Sequence, residues 1–208
     1  MAKKAALPVR FNIDYSDSSD RLTVFFRLLL AVPIMILFGM VAGGGSEAEQ
    51  ESHWLWFAGG GSVLVGPTLL MILFRQKYPR WWFDWNVSIV RFGTRVVSYL
   101  FFLRDEYPST DEEQAVHIDI LYPDVKKDLN RWMPLVKWFL AIPHYITLGF
   151  LSVGVLIVTV IAWFAVLFTG QYPKGMFDFV VGFMRWVLRV GAYAFLLTTD
   201  TYPPFTLE

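Results

Sequence analysis

Two triplets of charged residues recur along the chain at identical spacing, each with one Asp followed by two Arg. The first triplet is Asp84, Arg91 and Arg95, and the second is Asp178, Arg185 and Arg189. The intervals of seven and four residues are close to whole turns of an α-helix, so each triplet occupies one narrow helix face. Because the pattern occurs twice, whatever one triplet does is expected of the other.

Two arginines one helical turn apart can bind an anion together. A guanidinium group meets a phosphate through two parallel hydrogen bonds. We therefore predict that the six residues of the triplets contact anionic lipid or the acidic surface of a protein partner. The alternative is that the arginines face water or cap neighbouring helix ends, while each Asp stabilises the start of its own helix.

Catalytic and metal chemistry find little support in the sequence. The histidines His53, His117 and His144 show no metal-ligand spacing. Cysteine is absent, which excludes thiol catalysis, disulfides and zinc ribbons. We predict no metal, no cofactor and no enzymatic activity. His144 follows Pro143 in an apolar segment, where it either marks a proton or substrate path or is satisfied by a neighbouring helix.

The composition indicates a membrane protein. Hydrophobic residues make up 55% and charged residues 17% of the chain, and the mean hydropathy is +0.45, so the chain is more apolar than a soluble domain. Its 208 residues leave room for several spans of about 20 residues. The formal net charge is +0, so any basic surface depends on uneven placement of Lys and Arg. We predict no nucleic-acid partner.

The chain can be laid over itself in two blocks. Residues 72–103 align with 166–197 at an offset of 94, and residues 20–39 align with 130–149 at an offset of 110. The difference of 16 residues corresponds to a Gly-rich, acidic insertion at 43–53. Self-similarity on this scale predicts two tandem repeats.

The apolar and alternating segments give each repeat the same elements. We predict an all-α membrane protein in which each repeat is a transmembrane helical hairpin plus an amphipathic interfacial helix, preceded by a short cytoplasmic β-strand. Repeat 1–108 contains strand 8–15, spans 22–42 and 54–74, and interfacial helix 81–103. Repeat 109–208 contains strand 116–122, spans 132–150 and 153–169, separated by a turn at 149–154, and interfacial helix 176–197.

The charges predict the orientation of these elements. Segments 81–103 and 176–197 each carry one Asp and two Arg, and a charged residue at the bilayer centre costs about 2.5–3.5 kcal/mol, so we place both helices in the interface. All 18 basic residues then face the cytoplasm, in accord with the positive-inside rule. Loop 43–53 is outside and both termini are cytoplasmic. Arg27 and Lys137, near span starts, are expected to extend toward the headgroups.

The recurring motifs resemble a known family. The pattern is LLAVP or FLAIP, then YP, FD, two Arg four residues apart, and a closing YP. It resembles an uncharacterised prokaryotic family of membrane proteins with a domain of unknown function, most closely over residues 117–205. The first half departs from it by the 43–53 insertion and by Arg75-Gln76-Lys77 before its YP. The resemblance implies a multi-pass protein of the prokaryotic plasma membrane, and it brings no activity, cofactor or catalytic residue.

Two functions remain open at the level of sequence. The first is a non-enzymatic scaffold or accessory subunit of a membrane assembly, because the connections are short and no catalytic set is present. The second is a lipid-handling or small-solute transport protein, because parallel repeats with kinked spans are typical of transporters. The expected partners are the lipid bilayer, anionic lipids, and other membrane proteins or further copies of the chain.

Overall fold

The computed structural model describes residues 9–41, 62–110 and 112–208. In chain order the elements are β1 (Val9–Ile13), α1 (Arg21–Val41), α2 (Ser62–Arg75), α3 (Arg80–Leu100), β2 (Val116–Ile120), α4 (Val125–Asp128), α5 (Met133–Leu140), α6 (Ile142–Thr169) and α7 (Lys174–Ala194). The described chain is therefore mostly helical, with one small sheet. The predicted loop 43–53 and the first part of the predicted span 54–74 lie outside the described residues.

The two strands form an antiparallel ribbon in which Val9 pairs with Ile120 and Ile13 pairs with Val116. In both strands the first, third and fifth side chains are buried and the others are exposed. This is the alternation of a strand with one face on a protein core. The strands expected near 8–15 and 116–122 are thus present, and they pair with each other.

The amphipathic helices α3 and α7 lie between the ribbon and the apolar helices. Each begins after a proline: the carbonyl of Pro79 accepts from the Phe83 N–H, and that of Pro173 accepts from the Phe177 N–H, both at 3.0 Å. α3 contacts α1 and β2, while α7 contacts α6 and β1. Because each has neighbours on two sides, these helices contribute much of the buried core. Their predicted position at a membrane interface stays a prediction.

The apolar helices α1 and α6 form the other side of the molecule. Both are long and apolar enough to cross a membrane, with mean hydropathies of 2.5 and 2.7 over their most apolar windows, and only 22% of each window is buried inside the protein. α1 corresponds to the predicted span 22–42. α2, with 14 residues, contains the described part of the predicted span 54–74.

α6 corrects the hairpin that the sequence predicted. The expected spans 132–150 and 153–169 were to be joined by a turn at 149–154, but helix Ile142–Thr169 runs through this segment without a break. The segment offers no polar turn residue except Ser152, and the Ser152 hydroxyl donates a 2.7 Å hydrogen bond back to the Gly149 carbonyl within the helix. In apolar surroundings the backbone has few partners outside its own helix, which favours continuity.

The break in this part of the chain lies earlier, at Ala141, between α5 and α6. Pro143 follows two residues later, and proline lacks an N–H and crowds the carbonyl four residues before it. Pro33 occupies the aligned position in α1 but lies inside one continuous helix. The two aligned prolines therefore differ in effect, since only Pro143 follows a break between two helices.

Two tyrosines connect the first and second halves of the chain. The Tyr15 hydroxyl, after β1, donates to the Tyr172 carbonyl at 2.6 Å. The Tyr122 hydroxyl, after β2, donates to the Tyr78 carbonyl at 2.5 Å. Both acceptors precede the proline that starts an amphipathic helix. The residue after each strand is thus hydrogen-bonded to the connection before the amphipathic helix of the opposite half.

Candidate functional site

A buried ion pair joins the last turn of α5 to the segment that follows α7. Lys137 is fully buried, and its Nζ lies 2.8 Å from Oδ1 of Asp200. The same Nζ donates to the Thr199 carbonyl at 2.7 Å and lies 5.2 Å from the centre of the Tyr193 ring. The other carboxylate oxygen of Asp200 accepts from the Asn130 backbone N–H. Asp200 therefore bridges the buried cation and the chain just before α5.

The first half contains the corresponding arrangement between α1 and the segment after α3. Arg27 is fully buried and forms an ion pair with Asp105. Its Nη1 donates to the Arg104 carbonyl at 3.1 Å, and its Cζ lies 4.7 Å from the centre of the Tyr99 ring. The second oxygen of Asp105 accepts from the Asp20 backbone N–H at 2.9 Å. The two halves thus use equivalent contacts at equivalent places.

These pairs correct the expectation that Arg27 and Lys137 reach toward headgroups. Both cations are covered by protein and compensated by a carboxylate, because an unpaired buried charge is strongly unfavourable. The alignment of the two halves indicates these ion pairs. Arg27 aligns with Lys137 at the offset of 110, and Asp105 aligns with Asp200 if the offset of 94 is increased by one residue to 95. The carboxylates were missed because they lie outside the aligned helices.

The arginines of the second triplet bind backbone carbonyls of the chain itself. Arg185 donates from Nε to the Phe11 carbonyl and from Nη1 to the Leu207 carbonyl, both at 3.2 Å. Arg189, only 3% exposed, donates to the carbonyl and the hydroxyl of Thr206. Within the described residues neither arginine forms an ion pair with a carboxylate. Burial, followed by the charge of Arg185, lowers the pKa of Arg189.

The arginines of the first triplet lie beside the ribbon. Arg91 donates to the Ile118 carbonyl at 3.4 Å, and Arg95, which is buried, donates to the Ser109 carbonyl at 2.7 Å. Both line a groove of about 390 Å³. Other charged residues that line this groove are Arg10, Glu112, Glu113 and Asp119. This mixture of charges distinguishes the groove from the pair Arg185 and Arg189, for which the described residues supply no carboxylate in an ion pair.

The two aspartates of the triplets are exposed, whereas Arg95 and Arg189 are buried and Arg91 and Arg185 are half-buried. Asp84 pairs with Arg80 one turn earlier in α3, at 3.2 Å, and both side chains are more than half exposed. Asp178 is exposed on the first turns of α7. In each triplet the arginines therefore bind neighbouring segments of the chain, while the aspartate remains at the surface. Anion binding by the triplets stays a prediction.

His144, on the first turn of α6, is enclosed by aromatic side chains. Its ring is fully buried, and Nδ1 accepts a 3.1 Å hydrogen bond from the Trp186 indole N–H. The Phe205 ring stacks on it, with centroids 3.9 Å apart and planes at 15°. This contact with α7 satisfies one of the two ring nitrogens of His144. Its other nitrogen, Nε2, is buried without a hydrogen-bond partner among the described residues.

The described residues hold few groups for other chemistry. No cluster of three or more His, Asp or Glu side chains in the described ranges is arranged to hold a metal ion. Tyr78 and Tyr172 are buried, and burial raises the pKa of both phenols. Burial therefore favours the neutral phenol in both residues. What remains is a set of donors: arginine N–H groups that face oxygen acceptors, and Nε2 of His144, which has no acceptor among the described residues.

Some of these donors lie in the part of the chain that matches a known family model. Residues 131–206 match DUF4389, a domain of unknown function. The DUF4389 domain includes α5, α6 and α7, and thus Lys137, His144, Arg185 and Arg189. No curated protein matches the chain. No solved structure matches it.

Proposed function

We propose that this protein is a membrane-embedded, non-enzymatic scaffold or accessory subunit in the plasma membrane of a prokaryote. The observation that supports this is the apolar outer face of α1 and α6. On α6 the exposed large apolar side chains recur every three or four residues along the whole helix: Ile142, Ile146, Phe150, Val153, Leu156, Ile157, Val160, Ile161, Phe164 and Phe168. A face of this extent is typical of contact with lipid or with another membrane protein.

The α1 helix carries an apolar surface of the same kind. Its most exposed large side chains are Leu22, Phe25, Leu28, Leu29, Ile36, Leu37 and Met40. The polar side chains of the ribbon lie on the other side of α3 and α7. A molecule with one apolar side and one polar side is suited to a membrane surface, with its polar side available to cytoplasmic partners.

We place α6 along the membrane with the ribbon toward the cytoplasm. α7 contacts both layers: Trp186 donates to His144 in α6, and its neighbour Arg185 donates to Phe11 in β1. The ribbon therefore lies across α7 from the start of α6. Its outward polar side chains are Arg10, Asn12, His117 and Asp119. We infer that these groups stay in the aqueous phase, because each polar group without a partner costs several kcal/mol in hydrocarbon.

In this placement the chain does not cross the bilayer as two hairpins. Helices α1 and α6 occupy one leaflet, their apolar faces contact acyl chains, and the charged connections remain on the cytoplasmic side. Both described ends of the chain, near β1 and after α7, then lie on that side. This agrees with the predicted cytoplasmic termini while it replaces the four predicted crossings.

Photo-crosslinking from the apolar face tests the scaffold role. A photoreactive amino acid is introduced at Phe150 or at Phe168, which are 77% and 78% exposed, and at Asn12 on the ribbon as a control. In cells we expect the photoreactive residues on α6 to crosslink to one discrete protein. We also expect the chain to stay in the membrane fraction after carbonate extraction. If α6 yields lipid adducts alone and the chain migrates as a single copy in mild detergent, the scaffold function is wrong. If carbonate extracts the chain, the membrane location is wrong.

A lipid-handling role is the second candidate. It is favoured by Arg185 and Arg189, two neighbouring cations that have backbone carbonyls and no carboxylate as partners within the described residues. Such a pair suits the phosphate of a lipid headgroup. A lipid-transfer assay between vesicles tests this role, and transfer at the rate of protein-free vesicles contradicts it.

A further inference from the structure

The segment after α7 folds back across α7 and covers His144. This segment, residues 202–207, is called the strap. At its start the Tyr202 hydroxyl donates to the Leu140 carbonyl at 3.1 Å. In its middle Phe205 stacks on His144, and at its end the Leu207 carbonyl accepts from Arg185. The strap has no regular secondary structure, so its position depends on these side-chain contacts.

Gly182 on α7 permits the close approach of the strap. A Cβ atom at this position would lie 2.7 Å from the Leu207 carbonyl oxygen and 2.9 Å from the Leu207 Cβ. The first of these contacts is with backbone, which cannot move aside as a flexible side chain can. An alanine at Gly182 therefore displaces the end of the strap. By contrast, a Cβ at Gly175, on the same helix, would meet nothing within 4 Å.

Beneath the strap lie hydrogen-bond donors that have no acceptor among the described residues. Because Nδ1 of His144 accepts from Trp186, the neutral imidazole carries its proton on Nε2, which is then a donor. Nε of Arg189 and Nε2 of His144 are both buried without an acceptor among the described residues. Unsatisfied buried donors are costly and call for a partner. The Thr206 and Leu207 carbonyls occupy other donors of the arginine pair, as the oxygens of an anion would.

In the described part of the first half, the segment bound by Arg95 is held on both sides. There Arg95 donates to the Ser109 carbonyl, but the chain continues from Ser109 into β2, which is paired with β1. The aligned position of His144 is Ile34, which offers no donor. The strap, by contrast, is exposed at both Tyr202 and Phe205, with 42% and 50% of their surface accessible.

We propose that the strap is a displaceable cover over a phosphate-binding site formed by Arg185, Arg189 and His144. The ligand is a phosphate group, either free phosphate or the headgroup of an anionic lipid. The lipid form rests on the membrane location proposed above, whereas binding of free phosphate does not. In the closed state the strap carbonyls occupy the guanidinium donors, and on opening a phosphate replaces them. The strap and the ligand therefore compete.

Opening of the strap is measured by the accessibility of position 144. The chain has no cysteine, so His144→Cys provides a single buried thiol. We expect a thiol reagent to label His144→Cys on the order of tenfold faster with Gly182→Ala than with the matched control Gly175→Ala. Phe205→Ala, which removes the stacked ring and leaves α7 unchanged, should accelerate labelling as well. If neither variant labels faster than the control, the strap is not displaceable and the proposal is wrong.

Ligand binding is measured on chains that retain His144. Calorimetry with inorganic phosphate, in detergent, reports the free anion, and flotation with phosphatidylglycerol or phosphatidylcholine vesicles reports the lipid. We expect Gly182→Ala to bind phosphate about tenfold more tightly than Gly175→Ala, because the affinity scales with the open fraction. Arg185→Gln with Arg189→Gln, added to Gly182→Ala, should abolish the gain.

The arms of this experiment separate the possible failures. If the two Arg→Gln changes remove the binding of both inorganic phosphate and phosphatidylglycerol, the result supports the site for both sources. Phosphate binding without a preference for phosphatidylglycerol vesicles supports the site and assigns it to free phosphate, even if the membrane location fails. Unchanged binding in the Arg→Gln variant overturns the phosphate site, even where the strap opens.

Discussion

Nζ of Lys137 and Oδ1 of Asp200 lie 2.8 Å apart, and the lysine side chain is completely buried. This contact connects the last turn of α5 with a segment more than sixty residues later in the chain. Arg27 and Asp105 make the same connection in the first half. A buried cation that loses its carboxylate, or a carboxylate that loses its cation, leaves a charge without compensation.

Removal of either partner should therefore destabilise the protein strongly. For Lys137→Met we expect a loss of about 3–5 kcal/mol in the free energy of unfolding, the range for breaking a buried ion pair from one side. Adding Asp200→Leu to Lys137→Met should restore part of the lost stability, because the buried carboxylate that has lost its cation is then removed. The exposed Lys126→Met is the control, with a change within about 0.5 kcal/mol. Equal melting temperatures for Lys137→Met and Lys126→Met would contradict the pair.

The continuity of α6 predicts the effect of alanine at Gly149. A Cβ there meets nothing within 4 Å, and alanine is the better residue inside a helix by about 1 kcal/mol. We expect Gly149→Ala to raise the melting temperature or leave it unchanged. In a hairpin turn the same change should lower it, since glycine is favoured where the backbone turns sharply. Thermal unfolding in detergent distinguishes the two outcomes.

Glu106 should contribute a small, pH-dependent stability. Burial acts to raise its pKa, but hydrogen bonds from Arg104 at 2.8 Å and from the Ala115 N–H at 3.1 Å prevail and lower the pKa below its ordinary value of 4.5. The ionised form is thus favoured in the folded state. Its contribution is fully present above pH 4.5 and is lost as the pH falls through the lowered native pKa.

The measurement compares the parent chain with Glu106→Gln over a pH series. Because the Glu106 side chain is 42% exposed, we expect a difference in unfolding free energy below about 1 kcal/mol at neutral pH. The difference should shrink as the pH drops below 4.5. A difference that grows on acidification would show that the carboxylate does not act through these hydrogen bonds.

The placement of α6 along the membrane predicts the sidedness of its two ends. Single cysteines at Lys126, before α5, and at Gln171, after α6, can be labelled with an impermeant thiol reagent in intact cells and after lysis. We expect both to be protected until lysis, together with a control cysteine at Asn12 on the ribbon. If Lys126 and Gln171 behave oppositely, α6 crosses the bilayer and the proposed placement is wrong.

Several features of this protein could be predicted from local sequence. Alternation from Val9 to Ile13 and from Val116 to Ile120 indicated the two strands, and both are present. The helices predicted at 81–103 and 176–197 are present as α3 and α7, and each begins directly after a proline, Pro79 or Pro173. These features depend on periodicity and on the backbone chemistry of proline, which act within a few residues.

The tertiary structure decided what the charged and polar residues do. The arginine spacing correctly placed Arg185 and Arg189 on one helix, but only the packing of the strap and the ribbon on α7 supplies the acceptors that they bind. Asp200 could not be assigned to Lys137, nor Trp186 to His144, because such contacts depend on how distant segments fold together. Continuity through Gly149 was decided in the same way: the glycine permits a turn, while hydrogen bonding within an apolar helix, packed on α7, favours none.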